Sequence, residues 1–214
     1  MSKEQAVIVI GAGGHARVLL DVLARGGIAV AGLTDADPAR HGKLLAGVPI
    51  LGGDGVLDKH PPGTTILVNA MGSTESMTTR QAVFERLKAA GYGFLTVAHP
   101  SALIAPDVVL GEGVQVMAGA IVQPGARIGA NSIVNTGAQV DHDCIIGAHV
   151  HLSPGATLSG TVTVGDGSHI GTGATIVQGV RVGRGCLVAA GAVVTRGVAD
   201  GERVAGVPAR RIRQ

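Results

Sequence analysis

His142 stands directly before Asp143 in the run Asn135-Thr-Gly-Ala-Gln-Val-Asp-His-Asp-Cys144. A carboxylate beside an imidazole can orient the ring and raise its basicity, as a general base requires. His149 and His151 follow, and His169 comes eighteen residues after His151. A second constellation lies near the start, where Gly11-Ala-Gly13-Gly14-His15-Ala16 follows the apolar run Ala6–Ile10. Glycines there let the backbone approach a phosphate, and a helix N-terminus offers N–H donors and a favourable dipole. Asp35, at the end of the next apolar run, is where a ribose or base contact is expected, and His15 is placed on the ligand side of the loop. Taken alone, the loop also fits a plain strand-to-helix turn, and His142 also fits a polar corner residue.

These residues need elements to carry them, and the sequence specifies two kinds. From Ile104 to Val194 every sixth residue is Ile, Leu or Val without a slip. Neither a helix of period 3.6 nor a strand of period 2 produces that pattern. A coil of three six-residue sides does, because each side sends one aliphatic inward. Four residues after each aliphatic comes a smaller one, such as Ala120, Ala126, Ser132, Ala138 or Cys144, sized for a narrow prism. The C-terminal part is therefore read as a parallel β-helix of about five coils, eighteen residues each. His151 and His169 then lie one coil apart in phase and stack at about 4.8 Å. His142 and His151, nine residues apart, fall on different parts of the prism. Three histidines on one zinc would need a ligand from another chain, so no metal is expected.

Ahead of the prism the pattern alternates. Strands are expected at Ala6–Ile10, Ile28–Thr34, Thr65–Ala70 and Phe94–Ala98. Helices are expected at Arg17–Arg25 and at Thr78–Ala90, the latter with Val83, Leu87 and Ala90 on one face. This is a small parallel sheet with helices, about half of a dinucleotide-binding domain, which makes a nicotinamide-dependent reading weak. The expected domains are 1–98 and 99–214, joined rigidly at His99-Pro100. Aromatic residues are 1% of the chain and there are 35 glycines, as a narrow prism with tight corners requires. Net charge is +2 without a basic run, which argues against nucleic acid. Cys144 and Cys186 share the inward phase on different sides and are expected unbridged, in a reducing compartment. With no signal segment and no membrane-length apolar stretch, the expected location is the cytoplasm. Flat prism faces favour a homotrimer with active sites between subunits.

The hexads, the GAGGHA loop, Val134-Asn-Thr-Gly-Ala138, His142-Asp143-Cys144 and the ending Val204-Ala-Gly-Val-Pro-Ala-Arg210 resemble the left-handed β-helix acyltransferases of nucleotide-linked sugars. The resemblance covers essentially the whole chain and implies an acetyl-CoA-dependent N-acetyltransferase of a 4-amino-4,6-dideoxy sugar, GDP-linked first and UDP-linked next. By that resemblance His142 is the catalytic base, Asp143 its partner (often Glu in relatives), Asn135 a polar active-site residue, and His151 a second histidine near the thioester. Gly160 would offer a backbone N–H to acetyl-CoA, and Arg210 and Arg211 would lie near its phosphates. Gly11, Gly13, Gly14, His15, Asp35, Asn69, Met71, Gly72 and Ser73 would line the nucleotide-sugar pocket, with base contacts from Asp35 and the loop Ala36–Leu45. Two other readings stand beside this one: a sialic acid O-acetyltransferase, and a non-catalytic nucleotide-sugar-binding scaffold.

Overall fold

The computed structural model describes residues 5–73 and 76–212. The N-terminal elements are β1 (Ala6–Ile10), α1 (Gly14–Arg25), β2 (Val30–Thr34), β3 (Leu44–Leu45), β4 (Val48–Gly52), β5 (Thr65–Asn69), α2 (Thr78–Ala89) and β6 (Gly93–Phe94). They form a sheet of order β3-β4-β2-β1-β5-β6. All neighbours are parallel except the β3–β4 hairpin, an edge that the sequence reading did not anticipate. α1 starts at Gly14, ahead of the expected Arg17, because Gly13 already adopts the extended conformation of an N-cap. His15 therefore sits in its first turn.

The expected strand Phe94–Ala98 is divided between two sheets. Gly93–Phe94 pairs with β5, whereas Val97–Ala98 pairs with Gln115–Val116 and is the first rung of the prism. The buried face of α2 also differs from expectation: it is Arg80, Phe84 and Leu87, with Ala90 exposed. The reason is a second contact surface. Phe84 packs on Phe94 at 4.4 Å and edge-on against His149 of the prism at 5.5 Å, so α2 faces a prism corner as well as the sheet.

From Val97 the chain winds as a left-handed β-helix of two-residue strands. One face stacks Gln115, Ile133, His151, His169 and Leu187 in register. A second stacks Leu103, Ile121, Gln139, Thr157, Thr175 and Val193. The third runs from Val109 through Arg127, Ile145 and Thr163 to Arg181. The inward residues form one continuous core of large aliphatics and small partners; Cys144 and Cys186 are buried in it as free thiols. The last coil is short, with Leu187 paired to Arg203 instead of Ala205.

The first face is covered: Val97, Met117 and Ile133 belong to the same apolar cluster as β1 and α1. Burial of that cluster fixes the N-terminal unit against the prism, at about 25 cal/mol for each Å² of apolar surface withdrawn from water. Among the described residues no helix is long and apolar enough to cross a membrane.

Candidate active site

His142 lies at the corner that follows the strand Gln139–Val140, with its ring half exposed. Asp143 beside it has φ of 57°, a left-handed conformation uncommon outside glycine. That turn brings its Oδ2 to 2.9 Å from His142 Nδ1. The hydrogen bond that His142 donates to Asp143, partly opposed by desolvation and aided by the charges of Asp141 and Asp143, raises the imidazole above its ordinary pKa. With Nδ1–H donated to the carboxylate, Nε2 is left with its lone pair free. Gly160 lies one coil on, directly under the ring: a Cβ there would be 2.4 Å from Nε2.

A second group gathers on the covered face. Asn135 Oδ1 accepts from Thr136 N at 2.8 Å, which turns its Nδ2 toward His151 Nε2 at 3.0 Å. His151 Nδ1 must then carry the proton, which it donates to Ser73 Oγ at 2.7 Å. The ring of His169 lies across it at 4.9 Å and 77°, close to the expected stack. Burial first, then the neighbouring charges of His169, His15 and Arg80, push His151 down to about 3. His151 is thus a neutral hydrogen-bonding group near neutral pH. The structure brings Asn135, His151 and Ser73 together, and separately His142, Asp143 and Gly160; on one chain these are two clusters, not one.

Gly13 and Gly14 have open space where side chains would be, at the N-terminus of α1. Gly11, at φ of 97°, is pressed against Met71, whose Sδ would lie 3.1 Å from an added Cβ. Gly72 runs beside His15, where a Cβ would be 3.6 Å from that of the histidine. His15 reaches the prism: its Nε2 donates to Gln115 Oε1 at 2.8 Å, and burial lowers its pKa to about 4. Asp35 is engaged as well, its Oδ2 accepting from Arg40 Nη1 at 2.6 Å and its Oδ1 from Asp37 N at 2.9 Å. Arg40 also reaches Ala12 O in the glycine loop at 2.5 Å, a cation at the cradle that motif reading did not single out.

Asn69 is buried, and its amide donates to Arg80 O at 3.0 Å and to Asn131 Oδ1 at 3.1 Å, while Oδ1 accepts from Met71 N. Around it lies a network that motif reading missed. Gln115 Nε2 donates to Asn69 O at 2.7 Å. Arg80, fully buried, holds Asn69 O at 2.6 Å, Met71 O at 3.0 Å and Asn131 O at 3.1 Å. Asn131 Nδ2 continues to His149 Nδ1 at 2.9 Å. The one sequence signal for it was Arg80 in helical phase with Phe84 and Leu87.

Arg210 and Arg211 form an exposed antiparallel strand against Val204 and Ala205 at the C-terminal end of the prism. They stand several coils from His142, so only an extended ligand could touch both. Among the described residues no three His, Cys, Asp or Glu side chains converge as a metal site would need.

A half-size nucleotide-type α/β unit fixed to a left-handed prism with a His–Asp pair at a corner defines a class of acyltransferase. Residues 6–87 match the PglD N-terminal domain, and residues 107–140, 125–160 and 161–196 match the bacterial transferase hexapeptide (six repeats). The chain belongs to the hexapeptide-repeat sugar N-acetyltransferases that carry this N-terminal domain, and it is an enzyme of that class. It is similar to perosamine N-acetyltransferase from Caulobacter crescentus, solved in complex with CoA and GDP-perosamine: 39% identity over 98% of this chain and 97% of that one, TM-score 0.90. The acetyltransferase domain of PglB from Neisseria gonorrhoeae, solved with acetyl coenzyme A, is 37% identical over 98% and 100% of the two chains, TM-score 0.90. WeeI from Acinetobacter baumannii is 28% identical over 97% and 100%, TM-score 0.86. The redox-sensing transcriptional repressor Rex of Streptomyces avermitilis is 32% identical over 111 residues, 51% of this chain; the chain spans only 43% of that protein's length.

Proposed function

We propose that the protein transfers the acetyl group of acetyl-CoA to the 4-amino group of a nucleotide-linked 4-amino-4,6-dideoxy sugar, GDP-perosamine before a UDP-linked one. The observation that carries this is full-length similarity to an enzyme solved with CoA and GDP-perosamine, joined to a His142–Asp143 pair with a free Nε2. Acetyl-CoA supplies the acyl group as a thioester. The sugar nitrogen adds to the thioester carbonyl, His142 Nε2 takes the nitrogen's proton, and the thiolate leaves as the tetrahedral intermediate collapses. Asp143 stabilises the imidazolium that forms, and general-base action of this kind contributes roughly 10² to 10⁴ in rate. Gly160 N–H is the assigned contact for acetyl-CoA, with Arg210 and Arg211 toward its phosphates. Residues 1–98 hold the nucleotide at Gly13, Gly14 and the α1 N-terminus, where Arg40 adds a positive charge.

The chain acts as a homotrimer. His142 and His151 lie in separate clusters on one chain, and exposed Leu103, Val109 and Ile145 mark the two uncovered faces as contact surfaces. The test is thiol release from acetyl-CoA with GDP-perosamine and a UDP-linked 4-amino-4,6-dideoxy sugar side by side. Turnover with GDP-perosamine is expected to dominate. Turnover only with a hydroxyl acceptor such as a sialic acid overturns the amine assignment.

A further inference from the structure

We infer that Arg80 is a positioning residue for sugar transfer, acting through the segment Asn69–Ser73. This rests on reading that segment as part of the sugar pocket. Three observations carry the inference. First, Arg80 Nη1 grips two carbonyls of that segment, Asn69 O and Met71 O, while Nε takes Asn131 O on the prism. One side chain therefore fixes both the pocket segment and the surface on which it must lie. Second, the far end of the segment delivers Ser73 Oγ to His151 Nδ1. The position of Ser73, and so the hydrogen bonding of His151, depends on where Arg80 holds Met71. Third, Arg80 is poorly served as a mere brace. It is fully buried, no carboxylate among the described residues pairs with it, and its Nη2 has no partner. A buried cation left without a counter-charge is an expensive way to fasten a loop. Nη1 serves both carbonyls of the segment while Nε, held rigidly in the same plane, serves Asn131 O; a lysine ammonium has no second nitrogen with which to hold the prism at the same time.

The groups that face the guanidinium fit this account. His15 on α1 and His149 and His151 on the prism are all pushed toward the neutral form, mainly by burial, with Arg80 a smaller contribution in the same direction. The carboxylates nearest this cluster act on His149: Glu85 stands 3.9 Å from its Nε2, and Asp166 acts from further away.

The decisive variants are Arg80→Lys, which keeps the charge and loses the fork, and the more severe Arg80→Met. In Arg80→Lys, KM for the nucleotide sugar is expected to rise about tenfold, since small misplacements of a bound substrate carry costs of that order or more. KM for acetyl-CoA should stay at the wild-type value. Arg80→Met, where it folds, should show the same split more strongly. A folded variant with unchanged sugar KM, or with both KM values raised together, overturns the inference. A second readout needs no turnover and so separates this inference from the substrate assignment. The His151 Nδ1 proton should exchange slowly in the wild type, as seen by ¹⁵N-resolved NMR, and rapidly in Arg80→Lys. If it remains slow in the variant, Arg80 does not set the Ser73–His151 bond, whatever the substrate.

Discussion

At His142 the side chain of Asp143 acts on both the direction and the basicity of the ring, and the two effects separate by pH. A general base works unprotonated, so kcat/KM should fall as pH drops through the raised imidazole pKa. In Asp143→Asn the hydrogen bond to a charged acceptor is gone and the pKa returns downward. The acid limb of the profile should therefore move to lower pH while the plateau falls by on the order of 10², because the imidazolium loses its partner. A limb that stays in place removes Asp143 from this role. The glycine beneath the ring provides a sharper steric test. Gly160 has an ordinary φ, so alanine suits its backbone, yet the new Cβ would be 2.4 Å from Nε2 and 2.6 Å from Cε1 of His142. The ring is the part free to move. Gly160→Ala is expected to lower kcat by ~10² with no loss of melting temperature, since a displacement near 1 Å is enough. Normal kcat in that variant would mean that Nε2 is not the reacting atom.

Between the elements, the joint of α1, β5 and α2 with the prism contains histidines that folding keeps neutral. His15 is lowered to about 4 and His151 to about 3, in both cases chiefly by burial. The unfolded chain protonates each near 6.5, so between there and about 4 the unfolded state binds more protons. Stability must then decline as pH falls through that window, by ~1.4 kcal/mol per pH unit for each histidine. Melting temperatures measured from pH 7 to 4.5 should drop, and His15→Gln should flatten the slope. An unaltered slope in that variant would mean that His15 titrates equally in both states. This joint also marks the limit of what the sequence disclosed. The prism was legible because its rule is local: one aliphatic per six residues, and a phase that carries His151 onto His169. The glycine loop and the His142–Asp143 pair were legible for the same reason. Arg80, Gln115 and Asn131 were not, because the bonds that tie them across the joint, Arg80 to Asn131, Gln115 to Asn69 and Asn131 to Asn69, span 51, 46 and 62 residues. The helical phase of Arg80 with Phe84 and Leu87 is there in α2, but a charged residue in that phase does not read as buried, so the face read from Val83, Leu87 and Ala90 differs from the one found.

On the scale of the whole molecule, the proposed homotrimer is what joins His142 and His151 into one site. His142 projects from a corner between the second and third faces, whereas His151 is sealed under the N-terminal unit on the covered first face. In the proposed homotrimer the corner of one prism meets the covered edge of the next, and the same contact repeats three times. Such an arrangement makes a specific prediction about mixtures. His142→Asn and His151→Ala should each be nearly inactive alone. Co-expressed and assembled at random, they should recover activity, because a site that takes His142 from one variant and His151 from the other is intact. Equal expression gives about a quarter of sites of that kind in a symmetric ring. The measurement is thiol release by purified mixed trimers, carrying a different tag on each variant, against the two homotrimers. Were both histidines to serve a site within one chain, every site in the mixture would lack one of them. No activity above the parents would then appear, and the site between subunits would have to be abandoned.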